Sequence, residues 1–221
     1  MTGDGADELT ERRIELPGDG GRLRLLQPAE SAELPDVGGV EWAPLAPYWS
    51  VLWRSGVALA AEAAGADLGG RRVVELGCGL GLPAIAAARA GAVVTAVDFE
   101  PEAIELLGRN AELNGVAVEG VVADWSDPAS LAGRGRFDLA LAADVLYEPG
   151  AAAALAELLP LLVPEAWIAD PSRPGRPPLA DALGAEALGA EALGAGRATE
   201  TSTRGVVTIQ RFEFGRTAAG G

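Results

Sequence analysis

The chain has 221 residues, 49% of them hydrophobic, enough to bury a full core as one domain, or at most one domain with a small appendage. Its formal charge of −15 repels phosphate backbones, so nucleic acid is not an expected partner and a cationic substrate or basic protein surface fits better. There is no histidine and all 17 basic residues are arginine, which excludes Ser-His triads, histidine-held zinc and lysine Schiff bases.

The start, "MTGDGADELTERR", is acidic and has no apolar core of the kind a secretory leader carries. The single cysteine, Cys78, excludes an internal disulfide, so a reducing cytoplasm is expected. Apolar runs such as "AVVTAV" and "LAELLPLLV" fall well short of the roughly 20 residues that span a bilayer, and no membrane role is expected. "RRIELPGDGGRLRLLQP" has two short apolar-alternating runs around a Pro-Gly-Asp-Gly-Gly turn and predicts a β-hairpin. That hairpin belongs to an N-terminal extension over 1–40, ahead of a main domain over 41–221. "EWAPLAP" is a proline-punctuated loop, and "YWSVLWRSGVALAAEAAG" predicts a helix with Ser50 or Ser55 as N-cap and Gly65 beyond its end.

From Arg71 the pattern alternates. "RRVVEL" reads as a strand, Leu82 to Ala90 as a helix, "AVVTAVD" as a strand and Pro101 to Asn114 as a helix closed by Gly115. "VEGVVADW" and "RFDLALAADVLY" supply two further strands, Gly150 to Leu162 a helix, and "EAWIADP" another strand. This alternation predicts an α/β fold, a doubly wound sheet buried on both faces. "RATETSTRGVVTIQRFEF" predicts a terminal antiparallel hairpin turning near Arg204 and Gly205. Before it, "LGAEALGAEALGAG" repeats with a period that is neither helical nor extended, and predicts a kinked surface helix without function.

Chemistry concentrates at the strand ends. Gly77, Gly79 and Gly81 follow a strand and open a helix, letting backbone approach a ligand closely. A dinucleotide loop, G-x-G-x-x-G, needs its third glycine where this chain has Leu82 followed by Pro83. The motif is E-x-G-x-G-x-G, and both a dinucleotide and S-adenosylmethionine are weighed for it. Asp98 ends the next strand, where such sheets present a carboxylate to ribose hydroxyls, with Phe99 beside it. After the third strand, Asp124 can accept from an adenine amino group while the Trp125 indole packs on its face. Glu75 reads as an acceptor for loop N–H groups or a partner of a ligand amine. Cys78 is a small residue whose backbone N–H matters.

These blocks, with "PYWSVLWRSGVALA" upstream and "DVLY" at Asp144 to Tyr147, resemble the class I S-adenosylmethionine-dependent methyltransferases. Within them the chain resembles the small protein-lysine methyltransferases marked by D-x-x-Y after the fourth strand. With "ADPSR" at Ala169 to Arg173 it is similar to those that modify the electron-transfer flavoprotein β subunit. It departs from them at Arg54, where relatives carry proline. The resemblance implies a Rossmann-like seven-stranded sheet with one antiparallel strand, S-adenosyl-L-methionine as cofactor, and a cofactor site that includes Trp53 and Ala143. It implies methyl transfer to an amine nitrogen, a protein lysine first and a small amine second.

In that frame Asp144 receives and orients the acceptor amine and Tyr147 walls its channel. Asp170 and Arg173 border the substrate mouth, and Tyr48 and Trp49 form an aromatic lid. No metal is required, and a monomer or weak dimer is expected. The rival classes are a nicotinamide-dependent oxidoreductase, disfavoured by Leu82, and a non-catalytic nucleotide-binding or scaffolding protein.

Overall fold

The computed structural model describes residues 8–18, 20–32, 47–125, 127–131, 133–147, 150–171, 197–204 and 206–214. The hairpin strands β1 (Leu9–Glu15) and β2 (Arg22–Pro28) lead into the short α1 (Ala29–Ala32) and then α2 (Arg54–Ala64). The alternation follows as β3 (Arg72–Leu76), α3 (Leu82–Arg89), β4 (Val93–Asp98), α4 (Pro101–Leu113), β5 (Glu119–Val122), β6 (Leu139–Ala143), α5 (Ala151–Leu162) and β7 (Glu165–Pro171). Two last strands, β8 (Arg197–Arg204) and β9 (Val207–Glu213), form the antiparallel hairpin that the sequence predicts.

β3 to β9 form one seven-stranded sheet in the order β5-β4-β3-β6-β7-β9-β8. Neighbours from β5 to β7 pair in parallel, and β9 alone runs against them. The order reverses at β3, which has β4 on one side and β6 on the other. Open α/β sheets form ligand crevices at such a switch point, beyond the carboxyl ends of the strands.

Side chains alternate between faces with period two, and here both faces are apolar. Val73, Leu139, Leu141 and Trp167 share one face with α2, α3, α4 and the hairpin residues Leu23 and Leu25. Val74, Leu76, Ala140 and Ile168 share the other with Leu155, Leu158 and Leu159 of α5. Strands buried on both sides therefore read as continuous apolar runs. The hairpin contributes to the first cluster directly, so its core is continuous with that of the sheet.

The free edge of β2 is closed by two asparagine side chains. Leu26 N–H donates to Asn110 Oδ1 at 2.7 Å, and Asn110 Nδ2 donates to the Leu26 carbonyl at 3.2 Å. One helical turn on, Arg24 N–H donates to Asn114 Oδ1 at 2.9 Å and Asn114 Nδ2 returns to the Arg24 carbonyl at 2.6 Å. Four residues of helix rise about 6.0 Å and two of strand about 6.6 Å, so amides spaced i, i+4 match alternate strand residues. Asn110 also donates to the Leu80 carbonyl at 3.1 Å, which ties the hairpin to the glycine loop.

The expected N-caps of α2 are corrected. The helix begins at Arg54 with Trp53 as N-cap and no side-chain cap, while Tyr48–Ser50 forms a separate 3-10 turn. Ser50 and Ser55 are fully buried, so their hydroxyls need internal partners. Ser50 Oγ donates to the Pro47 carbonyl at 2.8 Å, and Ser55 Oγ donates to Asp144 Oδ2 at 3.2 Å. The "LGAEA" near-repeat lies outside the described residues.

Candidate functional site

A cavity of about 580 Å3 opens at the carboxyl ends of β3, β4 and β6, the switch point of the sheet. Its wall includes Tyr48, Trp49, Trp53, Glu75, Gly77, Cys78, Gly79, Gly81, Asp98, Phe99, Asp124, Trp125, Ala143, Asp144 and Tyr147. Most of the residues singled out from sequence are thus brought to one place. Asp170 is not among them: it sits half-buried in β7, paired in register with Thr208. Arg173 lies outside the described residues.

The floor is the loop after β3. At Gly79 the backbone has φ +48, and a Cβ there would fall 2.7 Å from the Trp49 carbonyl oxygen, so the 47–53 segment rests directly on the loop. Asp98 holds the loop from β4. Its Oδ2 accepts from Gly79 N–H at 2.8 Å and its Oδ1 from Glu100 N–H at 3.1 Å. Burial raises the Asp98 carboxyl above its ordinary range, against the opposing pull of the Gly79, Glu100 and Phe99 N–H groups. Cys78 donates its N–H to the Val97 carbonyl at 3.0 Å and ties the loop to β4. Burial, then the carboxylates of Glu75 and Asp98, push its thiol well up, so it is a neutral packing group.

Glu75 Oε2 accepts from Ala84 N–H at 2.8 Å, in the first turn of α3. Burial raises its carboxyl well above the ordinary value, Ala84 N–H opposes this, and Asp98 adds to it. A group whose folded pKa is raised stabilises the fold below its unfolded value, and that stability is lost as pH climbs through the folded value. Glu75→Gln keeps an oxygen for Ala84 and removes the ionisation. The variant's stability relative to the parent should therefore rise with pH above the ordinary carboxylate range, by at most about 1.4 kcal/mol per pH unit. Urea melts across a pH series check this, and a difference that stays flat with pH would refute it.

An aromatic rim closes one side of the cavity. Tyr48 and Tyr147 stack at 5.5 Å between centroids with a 42° tilt, and Tyr48 and Trp53 meet at 6.5 Å. Trp53 Nε1 donates to the Tyr48 carbonyl at 3.1 Å. Tyr48 and Phe99 stay well exposed at 42% and 54%, available to an incoming apolar or cationic group. Trp49 lines the cavity as well and packs against the hydrophobic core. Asp144 follows β6 at φ 60, the only non-glycine residue with positive φ among the described residues. It is 7% exposed, and its N–H donates to the Ala169 carbonyl at 2.9 Å. Aspartate tolerates this left-handed backbone better than most residues, so the Asp144 main chain is fixed at the cavity edge. The first turn of the following helix has Gly150, not Asp144, as its N-cap.

Two contributors were not read from sequence. Ser55 touches Asp144, and Asn110 supports the loop through Leu80. The signal for both was a polar residue inside an otherwise apolar helix face, where such residues are unfavourable unless paired.

The strand order, the single reversed strand and the glycine loop at the switch point define the Rossmann-like methyltransferase fold. A Thermus thermophilus 16S rRNA methyltransferase superposes with a TM-score of 0.63 at 17% identity, covering 93% of this chain and 50% of that one. A putative RNA methyltransferase from Pyrococcus horikoshii gives 0.61 at 16% identity, covering 86% and 95%. The chain belongs to the lysine methyltransferase family, whose sequence profile matches residues 47–167. Protein N-lysine methyltransferase METTL21A of Danio rerio is 40% identical over 105 residues, 44% of this chain and 48% of the relative. The electron transfer flavoprotein beta subunit lysine methyltransferase of Danio rerio is 37% identical over 116 residues, 51% of this chain and 44% of the relative. The chain thus spans about half the length of these relatives. Among the described residues no helix is long and apolar enough to cross a membrane.

Proposed function

We propose that the chain transfers a methyl group from S-adenosyl-L-methionine to the side-chain nitrogen of a protein lysine, in the cytoplasm. The observation that carries this reading is Asp144, buried at the edge of a cavity whose floor is the Gly77 to Gly81 loop. Family membership and two lysine-methyltransferase relatives support the choice of acceptor.

The residues present fit the cofactor. Asp98 ends β4 beside the loop, placed for a ribose diol, and Trp125, Phe99 and Asp124 line the cavity where an adenine ring needs a face and an acceptor. The wall carries Glu75, Asp98, Glu100, Asp124 and Asp144 and, among its described residues, no arginine. Such a wall suits a sulfonium and an ammonium and opposes a pyrophosphate. A dinucleotide would also want the N-terminus of α3, where Pro83 has no N–H and Ala84 N–H is already bonded to Glu75.

When bound, the cofactor would supply an electrophilic methyl on a sulfonium, with the neutral thioether as the leaving group when nitrogen takes the methyl. The chain's task is to align the neutral amine and exclude water. Lysine has a reference pKa of about 10.4, so its proton must leave first. Asp144 draws the ammonium in, orients it and accepts that proton or passes it to solvent, while Tyr48 and Tyr147 wall its alkyl stem.

Methyl-labelled cofactor incubated with enzyme and lysate tests the reading. Label should appear in methyl-lysine after acid hydrolysis of the protein fraction. The chain's own 221 residues contain no lysine, so methyl-lysine cannot come from self-modification of this sequence. Label found only in solvent-extractable amines would overturn the protein substrate, and absence of transfer together with calorimetric binding of NAD alone would overturn the methyltransferase.

A further inference from the structure

We propose that Ser55 is a positioning residue that fixes the Asp144 carboxylate for the acceptor amine, an inference that rests on the role proposed for Asp144. Ser55 is the second residue of α2 and is fully buried. Its neighbours Trp53 and Gly56 line the cavity and Ser55 does not, so it stands behind the wall. Its hydroxyl donates to Asp144 Oδ2 at 3.2 Å, across 89 residues of sequence.

The rest of the buried side of α2 is Ala58, Leu59, Ala60, Ala61 and Ala63. Alanine at position 55 would pack equally well and is the better helix former, without the cost of burying a hydroxyl. The hydroxyl earns its place only through what it bonds. α2 packs on β6 and β7, the two strands that also fix the Asp144 main chain through β6 itself and the Ala169 carbonyl. Asp144 is therefore held at its backbone by the sheet and at one carboxylate oxygen by a helix packed on that sheet. Restricting rotation of the carboxylate spares the reaction the entropy of ordering it, the service a supporting shell performs for a reacting group.

The test is a kinetic cycle of the full chain, Ser55→Ala, Asp144→Asn and the double variant. Initial rates are read with methyl-labelled S-adenosylmethionine and total lysate protein as acceptor. Ser55→Ala should lower the rate at saturating cofactor by roughly 3–30-fold, with the cofactor KM and Tm unchanged. In the Asp144→Asn background it should change the residual rate little, because the group it positions is gone. Equal slowing in both backgrounds would overturn the proposal and leave Ser55 a packing residue, as would Ser55→Ala at the parent rate while Asp144→Asn is impaired. Asp144→Asn at the parent rate would instead overturn the role of Asp144, and this inference with it.

Discussion

Replacing Asp144 with asparagine is expected to slow methyl transfer by about 10²–10⁴-fold while S-adenosylhomocysteine still binds with parental affinity. The substitution isolates charge. Asp144 sits at φ 60, and asparagine is the other residue that adopts this backbone readily, so the loop after β6 should keep its course. The amide oxygen can still accept from Ser55, whose hydroxyl lies 3.2 Å from Oδ2. What disappears is an anion 7% exposed at the cavity edge. A charge-assisted hydrogen bond to an ammonium is roughly twice as strong as a neutral one, and an amide has no basicity with which to assist proton departure. Labelled-methyl initial rates and calorimetry with S-adenosylhomocysteine separate the two steps. A variant that turns over at the parental rate removes Asp144 from the chemistry, and one that loses the cofactor product as well makes it part of the cofactor site.

The fold was legible because its signals are local. Short apolar runs alternating with helical segments announce a sheet covered on both faces, and "RATETSTRGVVTIQRFEF" announces the terminal hairpin within a few residues of β8 and β9. The glycine loop and Asp98 were legible for the same reason, since a strand end, a tight turn and a helix start are adjacent in the chain. Side-chain partnerships set by sheet order were not. Ser55 reads locally as a cap before an apolar helix, yet because β6 lies beside β3 its hydroxyl meets a residue 89 positions away. Asn110 sits on the apolar face of α4 with no partner for its side chain nearby in sequence, yet it closes the edge of a hairpin 84 positions earlier. Burial decides such cases, because a buried polar group must be paired and its partner is chosen by topology. Asp170, expected at the substrate mouth from its position at a strand end, lies in β7 one strand beyond β6 and is not among the residues that line the cavity.

Gly79→Ala is expected to cost about 2–4 kcal/mol of stability, combining the left-handed penalty of an L-residue with overpacking, and to weaken S-adenosylhomocysteine binding markedly. The backbone φ of +48 is the first difficulty for alanine. The second is steric and cannot be relieved by a rotamer, because the atom 2.7 Å from the new Cβ is the main-chain carbonyl oxygen of Trp49. Neither side yields easily. Gly79 N–H is bonded to Asp98 Oδ2 at 2.8 Å, and the Trp49 segment is held by Ser50 bonding to Pro47 and by Gln27 Nε2 donating to the Ser50 carbonyl at 2.9 Å. If the segment moves, Tyr48 leaves Tyr147, and the aromatic rim opens. If the loop moves, Asp98 loses the Gly79 N–H that holds its Oδ2. Either way the cofactor wall is broken, so affinity and stability should fall together. A chain of this size should show a Tm lower by roughly 4–16 °C, read by calorimetry without ligand, and a smaller Tm increase than the parent when S-adenosylhomocysteine is added. Parental Tm and parental affinity in the same variant would mean that the loop and the 47–53 segment do not press on each other, and that the rim is positioned by something other than Gly79.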